Sequence, residues 1–139
     1  MKKAIKLFAL VLGMAGIMMF TACSKDNEDL IVGKWNVTSV TQDNETYSPS
    51  TYGMTMTFEF TEDGTVTETF DMDFMGETEH DSETGTYSVD GDKLVMTVDD
   101  ETLSGTITNL DKKVLEISVV YVDEEDGTSE TTKMSMERM

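Results

Sequence analysis

From Lys34 to the end, the chain is a succession of short segments in which apolar and polar residues alternate, the pattern of strands with one face buried. Trp35, Val37 and Ser39 share one face of a first strand over 34–40. Met54, Met56, Phe58 and Phe60 share one face over 54–61, and Val66, Glu68, Phe70 and Met72 do so over 66–72. Further strands are predicted over 84–89 (Tyr87 and Val89 inward), 93–99 (Leu94, Met96, Val98) and 102–110 (Leu103, Gly105, Ile107). Two more follow over 114–122 (Leu115, Ile117, Val119, Tyr121) and 128–139 (Thr132, Met134, Met136, Arg138). Residues 73–83 read as a short strand or an irregular hairpin. The polar stretch 41–53, with Pro49, reads as a long loop arching over one mouth. Asp63-Gly64, Asp90-Gly91 and the acidic run Asp123–Gly127 supply tight turns, where Gly tolerates the positive φ required. Eight or nine strands joined this way predict an all-β antiparallel meander. An up-and-down eight-stranded barrel buries one face of every strand without helices, and an open sandwich is the alternative.

The start of the chain follows a different pattern. Met1–Lys6 carries three lysines, Leu7–Phe20 is an unbroken run of 14 apolar and small residues, and Thr21-Ala22 is a small-residue cleavage site. The run falls short of the roughly 20 residues that span a bilayer as a helix. Phe20-Thr21-Ala22-Cys23 resembles a bacterial lipobox, which implies cleavage before Cys23 and acylation of its thiol. Residues 1–22 are therefore expected as a lipoprotein signal peptide, 23–29 as an acylated flexible tether and 30–139 as the folded domain, with one helical turn capped by Asp29. Ser24–Asp29 is also similar to the acidic export signal of surface lipoproteins of the Bacteroidetes. The expected address is the outer membrane, with display on the cell surface or, as the alternative, facing the periplasm, and the expected membrane partner is reached through the acyl chains on Cys23.

Charge narrows the function classes. Ten basic and 28 acidic residues give a formal charge of −18, and three of the ten lie in the leader, so the chain after it stands at −21. Such a surface repels phosphate backbones, so nucleic acid is excluded as a partner. The single cysteine forbids an internal disulfide, and one Cys with one His (His80) builds no zinc cluster.

Three short motifs carry a family likeness. Gly33-Lys34-Trp35 is similar to the Gly-x-Trp signature of lipocalins. Phe58–Val66 and Gly85–Leu94 look like the corresponding hairpins of small lipocalin-like lipoproteins of Bacteroides and relatives, and Met134–Arg138 resembles their final strand. The resemblance implies a lipocalin (calycin) barrel in which Trp35 plugs the floor and Arg138 lies over its indole, with Gly33 beside them. The expected function is that of a lipid-anchored barrel that binds a small apolar ligand or serves as an interaction module.

No catalytic set appears: there is no nucleophile elbow and no phosphate-binding glycine loop. No enzyme activity, cofactor or metal is expected, and the acidic Asp123–Asp126 turn lacks the spacing of a calcium loop. A monomer is expected. The inward Met and Phe residues either fill a core or line an adaptable pocket. As pocket candidates the pattern offers Met56, Phe58, Phe60, Glu68, Phe70, Tyr87, Met96, Tyr121 and Met134. Glu68 is the exception on its face: it must pair (Arg138 being one candidate), meet water or sit at the rim. The rival reading is an accessory surface lipoprotein with a filled barrel.

Overall fold

The computed structural model describes residues 25–122 and 127–139; the expected signal peptide, Cys23 and the Asp123–Asp126 turn lie outside the described residues. A short helix α1 (Lys25–Ile31) leads into β1 (Gly33–Gln42), β2 (Glu45–Tyr47), a 3-10 turn (Pro49–Tyr52) and β3 (Met54–Phe60). Then come β4 (Thr65–Phe74), β5 (Glu77–Asp90), β6 (Lys93–Val98), β7 (Glu101–Leu110), β8 (Val114–Val122) and β9 (Ser129–Arg138). Each strand from β3 to β9 pairs antiparallel with the next, β1 pairs with β3, and β1–β9 pairing closes the ring. The result is an eight-stranded up-and-down barrel, with β2 as a short ninth strand hanging from the far half of β1.

The inward faces are those the alternation predicts over most of the chain. Trp35, Val37, Phe58, Phe60, Val66, Leu94, Leu115, Ile117, Met134 and Met136 are buried together. One strand departs. Beyond Val37, β1 shifts its register against β9, so that Val37 faces Met136 but Val40 faces Met134. This bulge turns Val40 inward and leaves Ser39 off the core face where strict alternation placed it; Thr38 donates its hydroxyl to Ser135 O at 3.1 Å beside the irregularity.

Three stretches are more ordered than their polarity predicts. Residues 41–53 complete β1, turn through Asp43-Asn44 (φ 53° and 65°), form β2 and a 3-10 turn, and end on left-handed Gly53. Residues 73–83 belong to a long β4–β5 hairpin turned at Met75-Gly76 (φ 53° and 85°), so His80 lies on a strand, against Asp71 at 2.5 Å. Residues 25–31, mostly within the stretch expected as a flexible tether, are the helix α1. It is docked by Asn27, whose Nδ2 donates to Gly91 O at 2.8 Å, and by fully buried Ile31. These contacts are long-range, so local polarity gave no sign of them.

Candidate functional site

The two ends of the barrel differ. At the floor, Arg138 crosses from the last strand to the first. Its guanidinium lies 4.3 Å from the centroid of the Trp35 ring, and Trp35 and Arg138 are register partners. Arg138 also donates to three carbonyls: Val32 O and Lys112 O, both at 2.8 Å, and Leu30 O at 2.5 Å. Trp35 Nε1 donates to Ile31 O at 2.8 Å. The carbonyls that end α1, which have no helical partner, are thus capped by two side chains of the barrel. Gly33 explains its own place in the motif: a Cβ there would run into Arg138 Nη1, and its φ of 140° disfavours any other residue. At the same end, Phe60, the register partner of Gly33, meets Tyr87 edge-on at 4.9 Å, and the Tyr87 hydroxyl donates to Thr61 O at 2.6 Å.

This geometry divides the expected pocket residues. Phe60 and Tyr87 pack the floor. Met134 is fully buried, and Met56, Phe58 and Met96 are almost so, which makes the lower barrel a filled core. Phe70 and Glu68 on β4, the register partners of Met56 and Phe58, are only half-buried. The side chain of Tyr121 lies outside the described part of β8.

Glu68 faces neither Arg138 nor solvent alone. Its register neighbours are Phe58 on β3 and Glu83 on β5, while Phe70 pairs with Asp81. The inner face of β5 thus carries acids at alternate positions, Asp81 and Glu83 half-buried and Glu79 exposed at the rim. Burial first, then the charges of Glu83 and Asp81, push the Glu68 carboxyl up to about 7. The space between Glu68, Phe70, Asp81, Ser82 and Glu83 is only about 10 Å³, room for one water at most.

The open end holds a larger space. An open cleft of about 710 Å³ is lined by Glu45, Thr46, Tyr47, Tyr52 and Met54. It exists because β1 pairs with β3 only through Asn36; farther up, β2 takes β3's place beside β1 and the two strands part. Tyr47 and Tyr52 meet edge-on at 6.4 Å across it. Next to it, Asp73 N donates to Gly53 O at 2.9 Å, which brings Phe74 and Met75 to the same rim; Tyr52, Phe74 and Met75 are 59%, 57% and 91% exposed. The sequence pattern missed Tyr47 and Tyr52 because it placed them in a polar loop. Two tyrosines within six residues, next to Gly53-Met54, were the available signal.

A closed antiparallel barrel with one end sealed by an Arg–Trp pair and the other, among the described residues, open is the architecture of the calycin class. The chain belongs to the lipocalin-like domain family, whose profile matches residues 31–117. It is similar to a lipocalin-like protein from Bacteroides uniformis at 13% identity, over 78% of this chain and 98% of that one, with a TM-score of 0.54. An uncharacterized protein from Bacteroides eggerthii matches at 12% identity over 78% and 98%, TM-score 0.52. The bovine lipocalin allergen Bos d 2 matches at 16% identity over 81% and 75%, TM-score 0.52, and a bovine odorant-binding protein holding a selenium-containing odorant at 17% over 78% and 73%, TM-score 0.50. At these identities the likeness is one of fold. Among curated proteins none matches the sequence.

Proposed function

We propose that this is a lipid-anchored lipocalin-like protein of the cell envelope that takes a small, largely apolar molecule at its mouth rather than deep in its barrel. The observation that carries the reading is the wide, solvent-open cleft at the mouth, with the aromatic and apolar walls Tyr47, Tyr52 and Met54 beside Glu45 and Thr46. The odorant bound by a bovine structural neighbour supports the same use of the fold. Glu45 in the cleft and the acidic inner face of β5 disfavour carboxylate-bearing molecules such as fatty acids, so the expected ligand is neutral or cationic. Anchoring through acyl chains on Cys23, in the outer membrane and displayed on the surface, rests on the lipobox-like Phe20–Cys23 and the acidic Asp26–Asp29.

Native mass spectrometry of protein purified from its own cells tests the ligand reading: a co-purified neutral or cationic small molecule is expected. A protein that carries nothing and binds no apolar probe at its mouth favours the alternative, an accessory lipoprotein, for which the filled lower barrel is the supporting observation. Fractionation of a Cys23→Ala variant tests the anchor; the variant is expected to leave the membrane fraction.

A further inference from the structure

We infer that the barrel stands floor-down on the bilayer, with α1 and the turns at Gly91 and Lys112 toward the headgroups and the mouth cleft facing away. The inference rests on the acylation of Cys23 proposed above and adds an orientation to it. Only Ser24 separates Cys23 from Lys25, so their Cα atoms lie within about 7 Å of each other. Lys25 opens α1, and α1 is held to the floor by Asn27 on Gly91 O and by Arg138 on Leu30 O. The acylated residue is therefore tied to the sealed end. β5 runs from that end at Asp90 to the mouth at Glu77, a height of roughly 33 Å for a tilted strand of this length. A chain from Cys23 would need about ten extended residues to reach the mouth. That would strip away all of α1 with its Asn27, Leu30 and Ile31 contacts.

The charges point the same way. At the floor Lys34, Lys93, Lys112 and Lys113 are exposed among seven exposed acids, Glu28, Asp29, Glu62, Asp63, Asp90, Asp92 and Asp111, so this end is acidic but carries lysines as well. The mouth turns carry Asp43, Asp73, Glu77, Asp99 and Asp100, with no Lys or Arg in residues 42–54, 71–83 or 96–104. A height of roughly 33 Å is about four Debye lengths at physiological salt, so a floor-down barrel keeps these acids clear of anionic headgroups. The exposed Tyr52, Phe74 and Met75 are the feature that favours the reverse pose, in which the mouth dips into lipid. The one-residue link from Cys23 to α1 opposes it.

The test uses the full chain produced in a lipidating host and reconstituted into phosphatidylethanolamine–phosphatidylglycerol vesicles whose headgroups carry a nitroxide quencher. A thiol-reactive fluorophore is placed on Lys112→Cys at the floor or on Met75→Cys at the mouth, both exposed turn positions. Strong quenching at the floor and at least fivefold weaker quenching at the mouth are expected. Equal quenching, or stronger quenching at Met75→Cys, overturns the orientation while the parent still floats with the vesicles. The parent chain separates this from failure of the anchor. With Cys23 acylated it takes up no dye; dye uptake together with loss of flotation overturns the anchoring reading, and the orientation falls with it.

Discussion

The guanidinium of Arg138 lies 4.3 Å from the ring of Trp35, and the same group donates to the carbonyls of Leu30, Val32 and Lys112. One side chain thereby joins the first strand, the last strand, the end of α1 and the β7–β8 turn. This pair closes the barrel at one end and so decides which end is open.

Replacing Arg138 is expected to cost more than a surface charge would. Arg138→Met loses a cation–π contact of about 1 kcal/mol and leaves carbonyls at the end of α1 without their partner, for a total of about 2–4 kcal/mol in urea unfolding. Arg138→Lys keeps the charge but cannot span three carbonyls, and is expected to recover less than half of that loss. Trp35 is the only Trp, so its emission reports the floor directly: a red shift in Arg138→Met is expected before global unfolding.

Gly33→Ala is expected to destabilise the fold by about 2–3 kcal/mol, because the added Cβ meets Arg138 Nη1 and the backbone stands at φ 140°. Gly76→Ala, where a Cβ meets nothing, carries only the cost of a left-handed backbone and is expected to lose about 1 kcal/mol. The difference between the two midpoints measures the steric part at Gly33.

The barrel was legible where one rule governs a whole strand. Met54–Phe60 and Leu115–Val119 alternate without exception, and their inward faces followed from the pattern alone. Legibility failed where a second requirement overlays the alternation. At Thr38 a bulge inserts a residue, which strict period-two reading cannot see. On β5 the inward positions are Glu79, Asp81 and Glu83, so the stretch lacked an apolar face and read only as a short strand or an irregular hairpin, although Phe70 and Met72 on β4 needed a neighbour. The candidate site suffered most. Its tyrosines sit in a segment whose order comes from the left-handed Asp43-Asn44 turn and the 3-10 turn, and the deep Met and Phe residues offered as pocket walls are core.

Glu68 should make stability fall as pH rises. Its carboxyl titrates near 7 in the folded protein against about 4.5 when exposed, so between those values the folded state holds a proton that the unfolded chain has lost. The native state is favoured by that proton below pH 4.5, and the advantage is lost as pH climbs through 7. The full span is about 3 kcal/mol, less whatever solvent at the barrel mouth screens. Glu68→Gln is expected to match the parent near pH 4.5 and exceed its stability at pH 8. Parallel unfolding curves at both pH values would count against an inward Glu68.

The β6–β7 turn places two non-glycine residues, Asp99 and Asp100, at φ 50° and 64°, the geometry for which Asp-Gly or Asn-Gly is preferred. Asp100→Gly removes the strain and one charge from an acidic rim. A gain of about 0.5–1 kcal/mol is expected in urea unfolding, larger at low salt than at high salt because part of it is electrostatic.

Binding at the mouth and binding in a deep cup make opposite predictions for two sets of variants. Tyr47→Ala and Met54→Ala remove walls of the cleft, and each is expected to weaken a neutral apolar fluorescent probe about five- to tenfold, the worth of roughly 1–1.4 kcal/mol of lost contact. Met134→Leu alters a fully buried core position and keeps its volume, so probe affinity is expected to stay within twofold while stability drops by less than about 1.5 kcal/mol. The charge of the wall gives an independent readout. A carboxylated probe of the same apolar body is expected to bind at least tenfold more weakly than its amine counterpart at pH 8, because Glu45 lines the cleft and the acids of β5 lie farther along the barrel wall. If Met134→Leu were the variant that abolished binding, the ligand would sit beneath the filled layer, and the lower barrel would have to open to admit it.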